Sequence, residues 1–348
     1  METKAFKYNS KFQLESGKYL PELNLAYSTL GQLNGERNNV IWITHALTAN
    51  SKPTEWWSGL VGDNKFFNPT DHFIICVNVL GSCYGSTGPL SKNPETGTPY
   101  YHSFPALTIE DIVRSFDLLR AQLGIEKIHT LIGGSLGGQQ AVEWAIQQPG
   151  VFDNLILLAT NAQHSPWGIA FNESQRMAIK SDDTWLSHAN DAGLKGLKVA
   201  RAVALLSYRN YETYNETQTD ALEKSDNFKA ASYQNYQGEK LAQRFNAFSY
   251  YHLSKAMDSH NVGRGRGSVE LALKQIKAKT LVVAIGSDIL FPISESVRLA
   301  EGIVGSAIEV IDSLYGHDGF LIEADLLEKC FEKFYSTTSK VDNNKTLT

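Results

Sequence analysis

Four short runs in the first half of the chain are apolar almost without interruption: NVIWITH (39–45), HFIICVNVL (72–80), IHTLIGG (128–134) and NLILLAT (154–160). Ile, Val and Leu fill them with little polar alternation, as expected of strands covered on both faces. Between the second and third, TIEDIVRSFDLLRAQLG (108–124) places Ile109, Ile112, Val113, Phe116, Leu119 and Leu123 at helical spacing, with Thr108 and Asp111 spaced as in a capping-box variant. Strands alternating with helices predict an α/β fold: a parallel sheet with helices on both faces.

From about 165 to 275 the period becomes helical. ESQRMAIKSDDTW, GLKGLKVARAVALLSYR, YNETQTDALEKSDNF and NAFSYYHLSKAMDSH read as successive helices, before AKTLVVAIGSD (278–288) and AIEVIDS (307–313) return to strand character. The expected organisation is a core at 1–164 and 276–335, a helical lid inserted at 165–275, and a flexible tail at 336–348.

Composition narrows the function classes. The 348 residues carry a net charge of −5, which argues against nucleic acid or an anionic membrane as the main partner. No run approaches the ~18 apolar residues of a membrane span, and the start METKAFKYNSKFQLESGKYL lacks the pattern of a signal peptide. Three cysteines (Cys76, Cys83, Cys330) without CxxC spacing fit a reducing cytoplasm. Metal-ligand spacing is absent, so no metal is expected.

The chemistry centres on LIGGSLGGQQAVEWA (131–145), where Gly133-Gly134-Ser135-Leu136-Gly137 satisfies G-x-S-x-G between a strand-like and a helical run. A nucleophilic serine at such a bend needs small neighbours, because bulky ones would collide. It also needs a base, and the base an orienting acid, in chain order serine, acid, histidine. His317, in the loop after the last strand run, is the candidate base. Asp288, at the end of TLVVAIGSD, is the candidate acid, with Asp312 and Asp318 as competitors. His252 and His260 read as lid surface or packing residues. The oxyanion hole would combine the backbone N–H of Leu136 with that of Leu47 in THALTAN (44–50), where His45 shapes the loop.

HALT (45–48), NVLGSCYGSTGP (78–89), GGSLGGQQAVEWA (133–145) and YGHDGF (315–320), together with IAFNESQRMAI, YQNYQGEKLAQRFNAFSYYHLSKAMD and SDILFP, resemble the homoserine O-acetyltransferases, a family with the α/β-hydrolase fold. The resemblance runs from about residue 10 to 335. It implies acetyl transfer from acetyl-CoA, a co-substrate and not a resident cofactor, through Ser135 to the hydroxyl of L-homoserine, a step of methionine biosynthesis. By motif it assigns Ser135 as nucleophile, His317 as acid/base, Asp288 as its orienter, Arg201 to the substrate carboxylate and Asp318 to the substrate amino group. An arginine fork and a carboxylate are the complementary pair for an amino acid. Arg176 is a second arginine, expected to be structural. VGRGRGS (262–268) is read as a solvated basic loop, with contact to CoA phosphates as the alternative. Apolar faces on VARAVALLSY and FSYYHL lead to the expectation of a homodimer. The alternatives are a succinyl-CoA donor, a serine acceptor, or a carboxylester hydrolase with the same triad.

Overall fold

The structure, a computed structural model, describes residues 1–342, with side chains to Ser336. The six anticipated runs form strands: β5 (Val40–Thr44), β6 (Phe73–Val77), β7 (Ile128–Gly134), β8 (Phe152–Leu158), β9 (Lys279–Ile285) and β10 (Ala307–Ile311). They pair in parallel in the order β6-β5-β7-β8-β9-β10. Two strands that the hydrophobic pattern did not reveal, β1 (Thr3–Tyr8) and β4 (Leu23–Leu30), extend the β6 edge antiparallel, giving a sheet of eight strands among the described residues. Their polar positions, such as Lys4, Lys7 and Asn24, interrupt the apolar signal because an antiparallel edge need not be dry on both faces. A small hairpin of β2 (Phe12–Gln13) and β3 (Tyr19–Leu20) stands apart.

Strand β5 shows why the runs are continuous. Val40 and Trp42 enter the apolar cluster on one face, Ile41 and Ile43 the cluster on the other, and all four are fully buried. The first face is covered by α2 (Ile109–Gln122) and α3 (Leu136–Gln147), where Trp144 meets Trp42 edge-on at 5.0 Å. The second is covered by α1 (Pro53–Trp56) and the chain beyond it, and by α12 (Ala324–Asp342), through Leu327 and Phe331. Helix α2 begins as the sequence predicts, with Thr108 and Asp111 closing a reciprocal capping box. Helix α12 runs to Asp342, into the segment expected as a tail (336–348), and residues 343–348 lie outside the described residues.

Between β8 and β9 the chain forms α4 (Pro166–Lys180), α5 (Leu194–Tyr208), α6 (Tyr211–Gln218), α7 (Lys229–Ala242), α8 (Ala247–Asp258) and α9 (Val269–Leu273). The helix expected over YNETQTDALEKSDNF stops at Gln218. Helix α7 escaped the hydrophobic pattern because its apolar residues are Ala and Tyr apart from Leu241, and only Gly238 and Leu241 are buried; Gly238 lets it approach α5, where a Cβ would lie 2.9 Å from the Lys198 carbonyl oxygen. The apolar residues of FSYYHL do not form a free face: Phe248, Tyr250 and Leu253 are buried within the chain. No helix among the described residues is long and apolar enough to cross a membrane.

This helical layer is pinned to the sheet by buried histidines. His260, at the end of α8, donates from Nε2 to the Asn161 carbonyl (3.0 Å), and its own carbonyl accepts from the His164 N–H (2.9 Å). Burial pushes the imidazole of His260 down to about 3 and that of His164 to about 4. With native pKa values below the unfolded value of about 6.5, the unfolded chain binds the extra protons. Stability is therefore full above about pH 6.5 and falls as pH drops toward 4. Thermal melting between pH 7 and 5 should show this fall in the wild type and a shallower one in His260→Gln; equal slopes would remove His260 from the effect.

Candidate active site

Ser135 sits between the last residue of β7 and the first of α3 with φ 57° and ψ −126°, a left-handed conformation unusual for a side-chain-bearing residue. Its backbone is held on all sides. The N–H donates to Leu158 O (3.0 Å), and the carbonyl accepts from Thr160 Oγ1 (2.9 Å) and Gln139 N (3.1 Å). The glycines are required by proximity: a Cβ at Gly137 would collide with the Thr44 carbonyl oxygen, and one at Gly134 with the Phe320 ring. Thr44 Oγ1 donates toward Gly137 O (2.7 Å) and Ile132 O (3.2 Å), tying the end of β5 to the elbow.

The loop after Thr44 lies over the serine. Gln140 Nε2 of α3 donates to His45 O (3.2 Å), and the buried His45 ring donates from Nδ1 to Ala46 O (2.8 Å) while Nε2 accepts from Val79 N (3.0 Å). Burial holds this imidazole at about 4, so it stays neutral and acts as a brace for the loop. Leu47 lines the same cavity as Ser135, and its backbone N–H makes no hydrogen bond among the described residues. Leu136, the first residue of α3, has no helical partner for its N–H. These are the two donors that the sequence nominates for an oxyanion.

Asp288 and His317 meet. The carboxylate Oδ2 accepts from His317 Nδ1 at 2.6 Å, while Oδ1 accepts from the N–H groups of Leu290 (2.8 Å) and Phe291 (2.9 Å). Both side chains are almost wholly buried. The imidazole packs on Phe291 (5.1 Å), Phe320 (5.3 Å) and Tyr208 (5.7 Å between ring centres). Ser287 joins the two loops: its Oγ donates to Ser313 O (2.5 Å) and accepts from Gly316 N (3.1 Å). The competitor Asp312 is exposed.

Ser135, His317, Leu47, Arg201 and Asp318 all line one cavity of about 410 Å³. Arg201, on α5, lies over the Tyr208 ring at 5.4 Å and has no carboxylate partner among the described residues. Asp318 is paired: Arg209 Nε stands 3.1 Å from its Oδ2. Burial raises the pKa of Asp318, against the lowering effect of Arg209 and Arg201. Arg209 was not foreseen. It lies just past the end of α5, and only the fold brings it to a residue 109 positions later (318 − 209).

Other expectations sort by contact. Arg176 is buried against Glu173 (2.8 Å), Asp258 and Ser254 Oγ (3.2 Å), away from the cavity lining. His252 packs edge-on against Phe104 at 5.3 Å. The basic loop is not free: Arg264 pairs with Glu15 (2.7 Å) and Arg266 with Glu143 (2.5 Å). No cluster of metal-ligating side chains occurs among the described residues.

The comparisons match the chain over nearly its whole length. The sequence profile of the alpha/beta hydrolase fold matches residues 39–324. A homoserine O-acetyltransferase of Cyclobacterium marinum is 51% identical over 335 residues, covering 96% of this chain and 95% of that protein. Among solved structures, homoserine O-acetyltransferase from Bacillus anthracis superposes with a TM-score of 0.88 at 26% identity, over 96% of each chain. A mutant of esterase E22 superposes equally well, with a TM-score of 0.88 at 25% identity over 96% of this chain and 99% of that one. The chain belongs to the homoserine O-acetyltransferase family of the α/β-hydrolase fold.

Proposed function

We propose that the chain moves an acetyl group from acetyl-CoA to the hydroxyl of L-homoserine through an acyl-enzyme on Ser135, in the cytoplasm. His317 Nε2 takes the Ser135 proton as Oγ attacks the thioester carbonyl. The C–S bond breaks, and the CoA thiolate leaves with the proton returned from the imidazolium. The acceptor hydroxyl then gives its proton to His317 and attacks the acyl carbonyl. The C–O bond to Ser135 breaks, the imidazolium reprotonates Oγ, and O-acetyl-L-homoserine departs. Asp288 holds the Nδ1–H tautomer and stabilises the imidazolium. The N–H groups of Leu47 and Leu136 receive the oxyanion in both steps; loss of one such donor typically costs about 10²–10³ in turnover.

The observation that carries this reading over ester hydrolysis is the unpaired Arg201 guanidinium in the cavity of Ser135, with the Asp318 carboxylate in the same lining. A neutral ester has no use for that pair of charges. A zwitterionic amino acid fills both, carboxylate to Arg201 and ammonium to Asp318, and so brings its hydroxyl to the acyl-enzyme ahead of water.

Thiol release from acetyl-CoA should depend on L-homoserine, and Arg201→Ala should weaken homoserine use about tenfold or more while burst acetylation of Ser135 persists. Equal release with and without the acceptor would establish hydrolysis instead. For Asp318, the carboxylate must be ionised to hold an ammonium. Removing Arg209 takes away a cation that favours the ionised form, so its pKa rises. In Arg209→Gln the acidic limb of kcat/KM for homoserine therefore moves to higher pH, and Arg209→Lys moves it back. A limb that stays in place would show that Arg209 has only a packing role.

We also infer a homodimer. Its support rests on α5, where Val199 and Leu206 are each 54% exposed. Sedimentation velocity should give a dimer for the wild type and a monomer for the Val199→Asp, Leu206→Asp double variant; a monomeric wild type ends the inference.

A further inference from the structure

Two acids and three strong bases line the catalytic cavity: Glu55 and Asp318, and Arg201, Lys240 and Arg244. Each acid already has a cation of its own from outside the lining. Lys52 stands 3.6 Å from Glu55, and Arg209 stands 3.1 Å from Asp318. None of the three bases has a carboxylate partner among the described residues. The cavity therefore concentrates uncompensated positive charge in a chain whose net charge is −5. Arg201 is accounted for by the carboxylate of an amino-acid acceptor. Lys240 and Arg244 are left over.

Their placement separates them from the reacting centre. Both residues are exposed, whereas Ser135 is only 6% exposed, so they occupy the solvent end of the cavity. Arg244 is held in place: its Nη1 donates to Thr48 O (2.5 Å) and to the Tyr84 hydroxyl (2.6 Å), so the rest of the guanidinium is free to donate elsewhere. Lys240, near the end of α7, rests 5.9 Å from the Tyr236 ring centre with its ammonium otherwise unengaged. An acetyl thioester is itself neutral and gives these cations nothing to bind. The phosphates of a nucleotide-bearing donor would reach them from outside, and a preset guanidinium beside a mobile ammonium suits phosphate. VGRGRGS offers no rival site, because its arginines are already paired with Glu15 and Glu143.

We propose that Lys240 and Arg244 grip the phosphates of the thioester donor at the mouth of the catalytic cavity; this rests on the acetyl-CoA reading above. Lys240 is the residue to test, because Arg244 also ties down the loop that carries Leu47. With L-homoserine as acceptor, kcat/KM is measured for acetyl-CoA and for S-acetyl-N-acetylcysteamine, the same acetyl thioester without phosphate. Lys240→Glu should lower the ratio of the two by about tenfold or more, mainly through KM for acetyl-CoA, and Lys240→Arg should restore it. Added salt should depress the wild-type ratio as well. A ratio equal in wild type and Lys240→Glu overturns the proposal alone. So does a loss confined to succinyl-CoA, which would mean that the cations read an acyl carboxylate. A wild type that uses the short thioester but not acetyl-CoA removes the donor reading, and the proposal with it.

Discussion

The close approach of Thr44 to Gly137 is the constraint from which the site follows. Both faces of β5 and β7 are apolar, so the hydrophobic pattern alone cannot fix their register; a strand buried on both sides can slip without exposing anything. Thr44 supplies what the pattern lacks. Its hydroxyl reaches Ile132 O and Gly137 O, and its backbone leaves no room for a Cβ at Gly137. Register and elbow are thus set by the same contact. The left-handed Ser135, a strain of about 1–3 kcal/mol for a residue with a side chain, is held by hydrogen bonds at both its N–H and its carbonyl.

The base and acid depend on this frame in turn. Each oxygen of Asp288 is committed, one to His317 and the other to two backbone N–H groups, so the carboxylate has little freedom to rotate. Three aromatic rings confine the imidazole. With Nδ1 bound to Asp288, the proton-accepting nitrogen is Nε2, and the Ser287 bridge keeps the loops after β9 and β10 at a fixed separation. Asp288 and the rings thus fix the orientation of the imidazole in the cavity that Ser135 also lines.

Much of this was legible in the sequence because it rests on local signals. The six doubly buried strands announce themselves through uninterrupted Ile, Val and Leu. The elbow shows as glycines around a serine, and His317 and Asp288 stand at strand ends in the required order. What stayed hidden depends on partners far away in the chain. β1 and β4 carry polar residues such as Lys4, Lys7 and Asn24 that break the apolar run, since β1 forms the exposed edge of the sheet. Helix α7 has Leu241 as its one large aliphatic residue and packs through Gly238. Arg209 is an ordinary arginine at a helix end until the fold sets it beside Asp318. The basic loop illustrates the converse: two arginines among glycines look available, yet Glu15 and Glu143, distant in sequence, have already claimed them. FSYYHL looked like an exposed apolar face for the same reason, since nothing local shows that the chain itself covers it.

The elbow, the triad and the oxyanion donors say only that an acyl group can be loaded and unloaded; one scaffold serves hydrolysis and transfer alike. The distinction has to come from what competes with water for the acyl-enzyme, and here that is a matter of charge placement. Asp288 and Asp318 are both largely buried carboxylates near His317, and their fates differ because their partners differ. Asp288 commits its charge to the imidazole and two N–H groups, as the orienting acid of the proposed mechanism would. Asp318 is kept near Arg209 and in reach of the cavity, where burial works against its ionised form and neighbouring guanidinium groups favour it. Such a balance has no value to an enzyme whose second substrate is water. It has value when the second substrate carries a positive charge, because that charge adds to the cations that favour the ionised carboxylate, and the alignment of the acceptor hydroxyl follows from the same contact.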